Sequence, residues 1–235
     1  MRLPSRSSLP LALLTALFPA ILSAEPVDRD IVIYGGTSAG IVAGIQAKAM
    51  GKTVVVIEPT SRVGGLTTGG LGQTDIGNKQ VIGGLSREFY VRISRHYDNP
   101  ASWKWEKSEE YKDSGQSRTS KGEETMWTFE PSAALKVYHD WIAETGLEIV
   151  KEERLDRADG VKTEAGRIVS LTMESGREFR GKMFIDATYE GDLLAAAGVS
   201  YTVGREANAQ YDETLNGVQT AMARYHQFVE GVDPY

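Results

Sequence analysis

Residues 30–58 read DIVIYGGTSAGIVAGIQAKAMGKTVVVIE, and this stretch decides the fold. Residues 30–34 are a short β-branched apolar run, which predicts a buried strand. Small and apolar residues then recur at helical spacing over residues 38–50, and Gly51 is placed to end that helix. Residues 53–57 are a second apolar run and predict another buried strand. A strand, a tight glycine turn, a helix and a strand within about thirty residues form a βαβ unit with parallel strands.

The turn between the first strand and the first helix reads GGTSAG. It matches the dinucleotide fingerprint G-x-G-x-x-G at the first and third glycines, while Thr37 stands at the middle position. The first glycine permits a sharp turn, and the third lets the helix pack close to the strand. The backbone N–H groups and the positive end of the helix then suit a pyrophosphate, and the Thr37 hydroxyl is a further candidate phosphate donor. The cofactor-binding residues predicted from this turn are Gly35, Gly36, Thr37, Ser38, Ala39 and Gly40.

Glu58 ends the second strand, close to the spacing of about 20 residues that the fingerprint sets for its acidic residue. A carboxylate at this position is placed to accept hydrogen bonds from the ribose hydroxyls of an adenosine. It also disfavours a 2′-phosphate, so we expect no phosphorylated nicotinamide cofactor. The alternative is an ordinary α/β turn followed by an unrelated acid. Dinucleotide binding is favoured by the order and spacing of the two features, and Glu58 and Pro59 join the predicted site.

A second glycine-rich cluster follows, in which residues 62–71 read RVGGLTTGGL. Residues 64–84 show no clear periodicity and predict a long ordered loop over a ligand. A nicotinamide dinucleotide does not need this loop, whereas a long, buried FAD needs backbone close to its pyrophosphate and ribityl chain. The alternative is a flexible glycine loop. The residues of this cluster that we predict to contact the cofactor are Arg62, Gly64, Gly65, Thr67 and Gly69.

The rest of the chain alternates helical and extended patterns. The predicted helices cover residues 85–97, 131–145 and 193–197, and the predicted strands cover residues 126–129, 147–150, 168–173, 178–179 and 183–187. The turn at Ser175 and Gly176 joins two of these strands in a hairpin. We therefore predict an α/β fold with a Rossmann-like parallel sheet, inserted helices and a β-hairpin or meander.

Composition excludes several classes of function. Lys and Arg number 26 against 32 Asp and Glu, a formal net charge of -6, whereas a nucleic-acid-binding surface normally carries a basic excess. The chain has no cysteine and 3 histidines, so we predict no thiol chemistry and no metal site. Redox chemistry would then have to come from a bound cofactor.

The first 24 residues have the pattern of a secretory signal peptide. Arg2 and Arg6 precede an almost uninterrupted apolar run at residues 9–22, and Ser23 and Ala24 supply small residues for cleavage after Ala24. The alternative is a membrane anchor, but the run is short for a span of about 20 residues. We predict export to the periplasm or medium, with no stable membrane insertion after cleavage and an FAD-binding domain over residues 25–235.

Two stretches carry a resemblance to a known family. DIVIYGGTSAGIVAGIQAKAMGKTVVVIEPTSRVGGLTTGGLGQTD and FIDATYEGDLLAAAGVSYTVGRE resemble the bacterial FAD-dependent oxidoreductases of the glutathione-reductase-like superfamily. The resemblance implies that residues 35–40 hold the pyrophosphate, Glu58 the adenosine ribose, and residues 62–65 the ribityl side. It adds Asp186, Ala187 and Thr188, which end a buried strand beneath the cofactor. Relatives need a later segment, usually with a Gly-Asp pair, so we expect the domain to continue beyond residue 235.

The function implied is an exported FAD-dependent oxidoreductase that moves hydride or electrons between a small organic substrate and the flavin. Two alternatives stay open: a non-catalytic FAD- or nucleotide-binding fragment, and an NAD-linked dehydrogenase domain. No catalytic residue and no electron acceptor is assigned. The polar candidates near the active edge are Tyr189, Glu190, Asp192, Tyr201, Arg205, Glu206 and His226.

For some of these candidates a structural role is favoured. A surface ion pair is the favoured interpretation of Arg205 and Glu206, and a packed or exposed helix residue that of His226. Trp103 and Trp105 lie in a polar stretch. They could stack on a sugar ring, or they could anchor an insertion.

Overall fold

A computed structural model of the protein describes residues 25–73, 77–111 and 122–213. Its strands are β1 (Val27–Tyr34), β2 (Val54–Glu58), β3 (Glu148–Lys151), β4 (Val161–Glu164), β5 (Arg167–Thr172) and β6 (Glu178–Asp186). Its helices are α1 (Ser38–Ala49), α2 (Gly65–Gly69), α3 (Gly84–Tyr97), α4 (Pro131–Thr145), α5 (Asp192–Ala196) and α6 (Asn208–Tyr211). Short 3₁₀ turns cover Lys79–Val81 and Pro100–Ser102.

The strands form one mixed sheet in the order β3-β2-β1-β6-β5-β4. The predicted βαβ unit is present, because β1 pairs with β2 in parallel from Ile31 opposite Val54 onward. Strands β3 and β6 extend the parallel part on its two sides, and β5 and β4 add an antiparallel meander beyond β6. The predicted α/β class with a Rossmann-like sheet, inserted helices and a hairpin is confirmed. Carboxyl ends of parallel strands meet at one edge of a sheet, which is where ligands bind in such folds.

Two hydrophobic clusters cover the two faces of the sheet. Helices α1, α3 and α4 pack on one face, where Ile33 and Val56 of the sheet meet Ile41 of α1 and Trp141 of α4. On the other face the neighbouring residues of the same strands, such as Val32, pack with residues from the meander and α5. The strands β1 and β2 are therefore apolar on both sides, as buried parallel strands require.

The helices begin and end where the sequence places their signals. Helix α4 starts with Pro131 in its first turn and ends at Gly146, whose φ of 59° is left-handed. Proline suits the first helical position because its missing N–H would have no partner there, and glycine adopts the left-handed cap without strain. Helix α3 spans residues that the amphipathic pattern predicts, and its buried face includes Phe89 and Ile93.

The structure differs from the sequence expectations in five respects. Residues 126–129 are not a strand: Thr128 forms an isolated antiparallel bridge with Gln73, and the N–H of Phe129 donates to Gly72 O as part of that bridge. Residues 178–179 and 183–187 belong to one continuous strand, β6. That strand is not fully buried, since Met183 is 59% exposed. The glycine-rich loop contains α2, and β4 and α6 have no counterpart in the prediction.

The apolar leader at residues 1–24 and the candidate His226 lie outside the described residues. Within the described ranges, no helix combines the length and the apolar character that crossing a bilayer requires.

Candidate functional site

The turn between β1 and α1 depends on two glycines with no room for a side chain. Gly35 has a φ of +104°, and a Cβ there would lie 2.7 Å from the carbonyl carbon of Ala187. A Cβ on Gly40 would lie 1.9 Å from Gly35 O. The end of β6 and the first turn of α1 therefore both close onto this turn, as the fingerprint predicts.

The side chain of Thr37 caps helix α1, and its hydroxyl hydrogen-bonds within the protein. Its Oγ1 accepts the N–H of Gly40 at 3.3 Å and donates to Ala187 O at 2.7 Å. This single proton is committed to a backbone carbonyl, so the hydroxyl is not a free phosphate donor, which corrects that part of the expectation. The contact also connects the middle of the turn to the end of β6.

The amino end of α1 offers backbone donors. The first N–H groups of a helix have no partner within the helix. Thr37 satisfies that of Gly40, whereas those of Ser38 and Ala39 have no acceptor among the hydrogen bonds of the described chain. With the positive end of the helix dipole, they suit an anion. The Ser38 hydroxyl lies 3.0 Å from Gly64 O and 2.8 Å from Thr67 Oγ1, so it connects the turn to the glycine-rich segment.

Glu58 is buried beside the turn and is held there by three donors. Its Oε2 accepts the N–H of Gly36 at 2.7 Å, and its Oε1 accepts the N–H and the hydroxyl of Thr60 at 2.8 and 2.7 Å. An ionised carboxylate has about four lone-pair sites. One site on Oε2 is therefore left for a further donor, such as the ribose hydroxyl that the sequence predicts.

The glycine-rich segment is pinned to the turn by its backbone. The N–H of Gly64 donates to Gly36 O at 2.7 Å, and Gly64 bridges Thr37 in parallel. The guanidinium of Arg62 donates to the carbonyl oxygen of Thr68, and the buried Thr68 hydroxyl donates to Val63 O at 2.5 Å. The structure thus brings the two predicted glycine clusters together.

The Asp186 carboxylate accepts hydrogen bonds from the chain that follows β6, and not from the turn at residues 35–40. Its Oδ1 accepts the N–H and hydroxyl of Thr188 at 3.0 and 2.7 Å, and its Oδ2 accepts the N–H of Leu194 at 2.9 Å. The Thr188 hydroxyl in turn accepts the N–H of Gly191 at 2.9 Å. Residues 188–191 are therefore a fixed turn at the carboxyl end of the sheet.

These elements surround a cavity of about 410 Å³, within the usual range for small-molecule sites. The predicted residues that line it are Gly35, Thr37, Glu58, Pro59, Arg62, Gly65 and Thr188, with Tyr189, Glu190 and Asp192 of the polar candidates. The predicted residues that do not line it are Gly36, Ser38, Ala39, Gly40, Gly64, Thr67, Gly69, Asp186 and Ala187. Gly36, Gly40, Asp186 and Ala187 hydrogen-bond to lining residues. Ser38 hydrogen-bonds with Gly64 and Thr67, whereas Ala39 and Gly69 are exposed. Direct contact of each residue with the cofactor stays a prediction.

Another group of lining residues has no signal in the sequence. They are Tyr34, Thr60, Arg154, Leu155, Arg157 and Glu174. Most come from the chain after β3 and from the hairpin turn, which tertiary structure alone brings to this edge. Burial raises the pKa of Tyr34, so its hydroxyl stays protonated while it accepts the N–H of Leu155 at 3.0 Å.

Other candidates lie elsewhere. Tyr201, Arg205 and Glu206 are not among the residues that line the cavity. Trp103 donates its Nε1–H to Tyr97 O at 2.9 Å and anchors the segment after α3, whereas Trp105 is 85% exposed. Both tryptophans line a separate cavity, also of about 410 Å³, and their stacking on a sugar ring stays a prediction.

Fold and site together define an α/β domain built to hold a dinucleotide at the carboxyl ends of its parallel strands. Residues 30–235 match the family described as FAD dependent oxidoreductase. The chain belongs to that family, and its cofactor is FAD.

Individual proteins resemble parts of this chain. "FAD-dependent oxidoreductase dpchF" of Colletotrichum higginsianum is 48% identical over 54 residues, which is 23% of this chain and 11% of that protein. The flavin-dependent brominase Bmp2 superposes with a TM-score of 0.50 at 18% identity, covering 77% of this chain and 43% of that one. L-proline dehydrogenase from P. horikoshii gives 0.48 at 16%, covering 77% and 59%. The likeness to the brominase shows the fold alone, and the chain spans less than half of the first two proteins.

The residues present fit an FAD. The start of α1 supplies N–H groups for a pyrophosphate, and Glu58 keeps an acceptor site beside them. Glu58 opposes a 2′-phosphate, so the observed donor and acceptor set agrees with the cofactor of the family.

Proposed function

We propose that the protein is an exported oxidoreductase whose bound FAD exchanges hydride or electrons with a small organic substrate. One observation carries the proposal: the α1 turn, Glu58 and the glycine-rich segment converge on one cavity at the carboxyl edge of the sheet. This arrangement suits a long dinucleotide better than a short ligand, because its donors and acceptors are spread along the cavity. The substrate and the electron acceptor are left open.

The protein's part in the reaction is to bind and orient. When bound, FAD supplies the redox chemistry through its isoalloxazine ring. Glu58 would accept a ribose hydroxyl on Oε2, and the amides of Ser38 and Ala39 would donate to the pyrophosphate. Residues 62–68 are attached to the turn through the N–H of Gly64 and the hydroxyl of Ser38, so their backbone would line the ribityl side of a bound FAD. No side chain of the described residues is assigned a proton transfer.

The activity test is anaerobic mixing of the purified, FAD-loaded protein with pools of small alcohols, amines and amino acids. Bleaching of the flavin absorbance by one pool, and its return when oxygen is admitted, is the expected result. Persistent oxidised flavin with every pool would favour the non-catalytic alternative. Release of NAD instead of FAD on denaturation would favour the dehydrogenase alternative.

Export has its own test. Expression of residues 1–235 in a bacterial host should give a periplasmic or secreted product whose mass corresponds to a chain beginning at Glu25. A full-length product that stays with the membrane fraction would contradict the proposed cleavage and favour an anchor.

A further inference from the structure

Tyr189 occupies an unusual position across the cofactor cavity. Its side chain leaves the turn after β6 and reaches the start of α2, where its hydroxyl accepts the N–H of Leu66 at 2.8 Å. Tyr189 is 57% exposed although it lines the cavity, so packing does not explain its orientation. One hydrogen bond spans two chain segments separated by 123 positions.

The contact requires a glycine below the phenol. A Cβ on Gly65 would lie 2.1 Å from the Tyr189 hydroxyl and 2.9 Å from the ring carbon that carries it. Gly65 also has a φ of +52°, in the region that glycine adopts at least cost. The phenol therefore lies directly over the backbone that the sequence assigns to the ribityl side of the cofactor.

Both ends of this bridge are fixed. On one side, the carboxylate of Asp186 holds Thr188 and Leu194, so the turn that carries Tyr189 cannot drift. On the other side, the N–H of Gly64 donates to Gly36 O at 2.7 Å, and the Ser38 hydroxyl lies 2.8 Å from Thr67 Oγ1, so the start of α2 is attached to the turn at residues 35–40. A hydrogen bond between two fixed supports loses little entropy when it forms, and it keeps their separation constant.

We propose that Tyr189 is a positioning residue for the cofactor: a strap that ties the turn at residues 188–191 to the start of α2 and so restrains a bound FAD. This inference rests on the proposed FAD site. The hydroxyl acts through the Leu66 amide and not on the reacting atoms. It sets the width of the cavity between the two supports, and the ring closes one side of it.

In the opposite role, the Tyr189 side chain would block the cavity as a plug, and FAD would have to displace it. The two roles predict opposite changes in FAD affinity. Removing the hydroxyl of a strap weakens FAD binding, whereas removing that of a plug strengthens it. The test is Tyr189→Phe, which keeps the ring and deletes the bond. The matched control is Tyr201→Phe, because Tyr201 is 67% exposed and does not line the cavity.

The measurement is the dissociation constant of added FAD for apo-protein of each variant, together with the rate at which FAD leaves. If Tyr189 is a strap, Tyr189→Phe should raise the dissociation constant for FAD roughly 3- to 10-fold, as expected for the loss of one hydrogen bond. Most of this change should come from faster release of FAD. The control should bind like the wild type. An unchanged or lower dissociation constant for Tyr189→Phe would overturn the proposal.

A second readout separates positioning from general stability. Amide exchange at Leu66 in the apo-protein should become faster in Tyr189→Phe, while the urea midpoint moves no more than in Tyr201→Phe. Equal exchange at Leu66 in wild type and variant would overturn the strap even if FAD binding changed. Failure of the wild type to bind FAD would instead refute the proposed function on which the strap rests.

Discussion

The two walls of the cofactor cavity are built in different ways. The first wall, which comprises the turn at residues 35–40 and Glu58, is shaped by backbone geometry at glycines that tolerate no side chain. The second wall, which comprises residues 62–69 and residues 188–191, is held by side-chain hydrogen bonds from Arg62, Thr68 and Asp186. Gly35 and Gly40 of the first wall press against backbone atoms, whereas Gly64 and Gly65 of the second wall press against side chains, so the second wall depends more on side-chain contacts. Substitutions should affect them with different magnitudes.

The largest effect is expected at Gly40, in the first wall. Gly40→Ala would be favoured by helix propensity by about 1 kcal/mol. Its Cβ would nevertheless lie 1.9 Å from the backbone oxygen of Gly35, which cannot rotate away. We expect a loss of about 3 kcal/mol or more in the free energy of unfolding, measured by urea denaturation.

Gly69→Ala is the matched control for stability, because a Cβ on Gly69 has open space around it. It should leave the urea midpoint unchanged or slightly raised. A Gly40→Ala protein as stable as this control would show that the first wall is not sterically fixed.

The next effect is expected at Asp186, in the second wall. Asp186→Asn keeps the shape but removes the charge and replaces one acceptor oxygen with a donor, while three donors still point at the group. We expect a loss of about 1–3 kcal/mol in unfolding free energy. Asp159→Asn, on an exposed residue, provides the comparison in the same denaturation experiment. Equal midpoints for the two variants would mean that the turn after β6 holds itself without this carboxylate.

Thr37 lies where the two walls meet, and Thr37→Val removes its hydroxyl with little change of shape. The variant loses the cap on Gly40 and the bond to Ala187 O. A loss of about 1–2 kcal/mol is expected. Thr37→Ser should recover most of it, because serine retains the hydroxyl. If valine and serine gave the same thermal midpoint, the cap would contribute nothing measurable.

The sequence predicts the wall that is built from contacts between residues close together in the chain, and it does not predict the wall that is built from contacts between distant residues. The first wall lies within residues 35–58, where the order of strand, turn and helix is a local pattern, and it is predicted well. The second wall depends on hydroxyl contacts between distant segments, such as Tyr189 with Leu66. From its glycine content, the segment at residues 64–84 is expected to be a loop, and helix α2 is not predicted. The lining residues Arg154 and Glu174 have no local signal, because only sheet pairing brings them to the cavity.

The smallest effect is expected far from both walls, at the exposed pair of Asp30 and Lys182. Hydrogen bonds from Lys182 and Thr53 hold the pKa of the Asp30 carboxyl well below its usual range. A depressed carboxyl pKa contributes stability above the ordinary value near 4, and that contribution is lost as the pH falls toward the folded-state pKa. The difference in urea midpoint between wild type and Lys182→Met should be small at about pH 6 and smaller still at about pH 3. A difference that grew on acidification would contradict this sign.

The most direct test of the account is the visible absorption spectrum of the purified protein, followed by identification of the chromophore released on denaturation. We expect oxidised flavin bands and the release of one FAD per chain, either as purified or after FAD is added. A folded but colourless protein that takes up no added FAD would contradict the claim that these two walls enclose the cofactor.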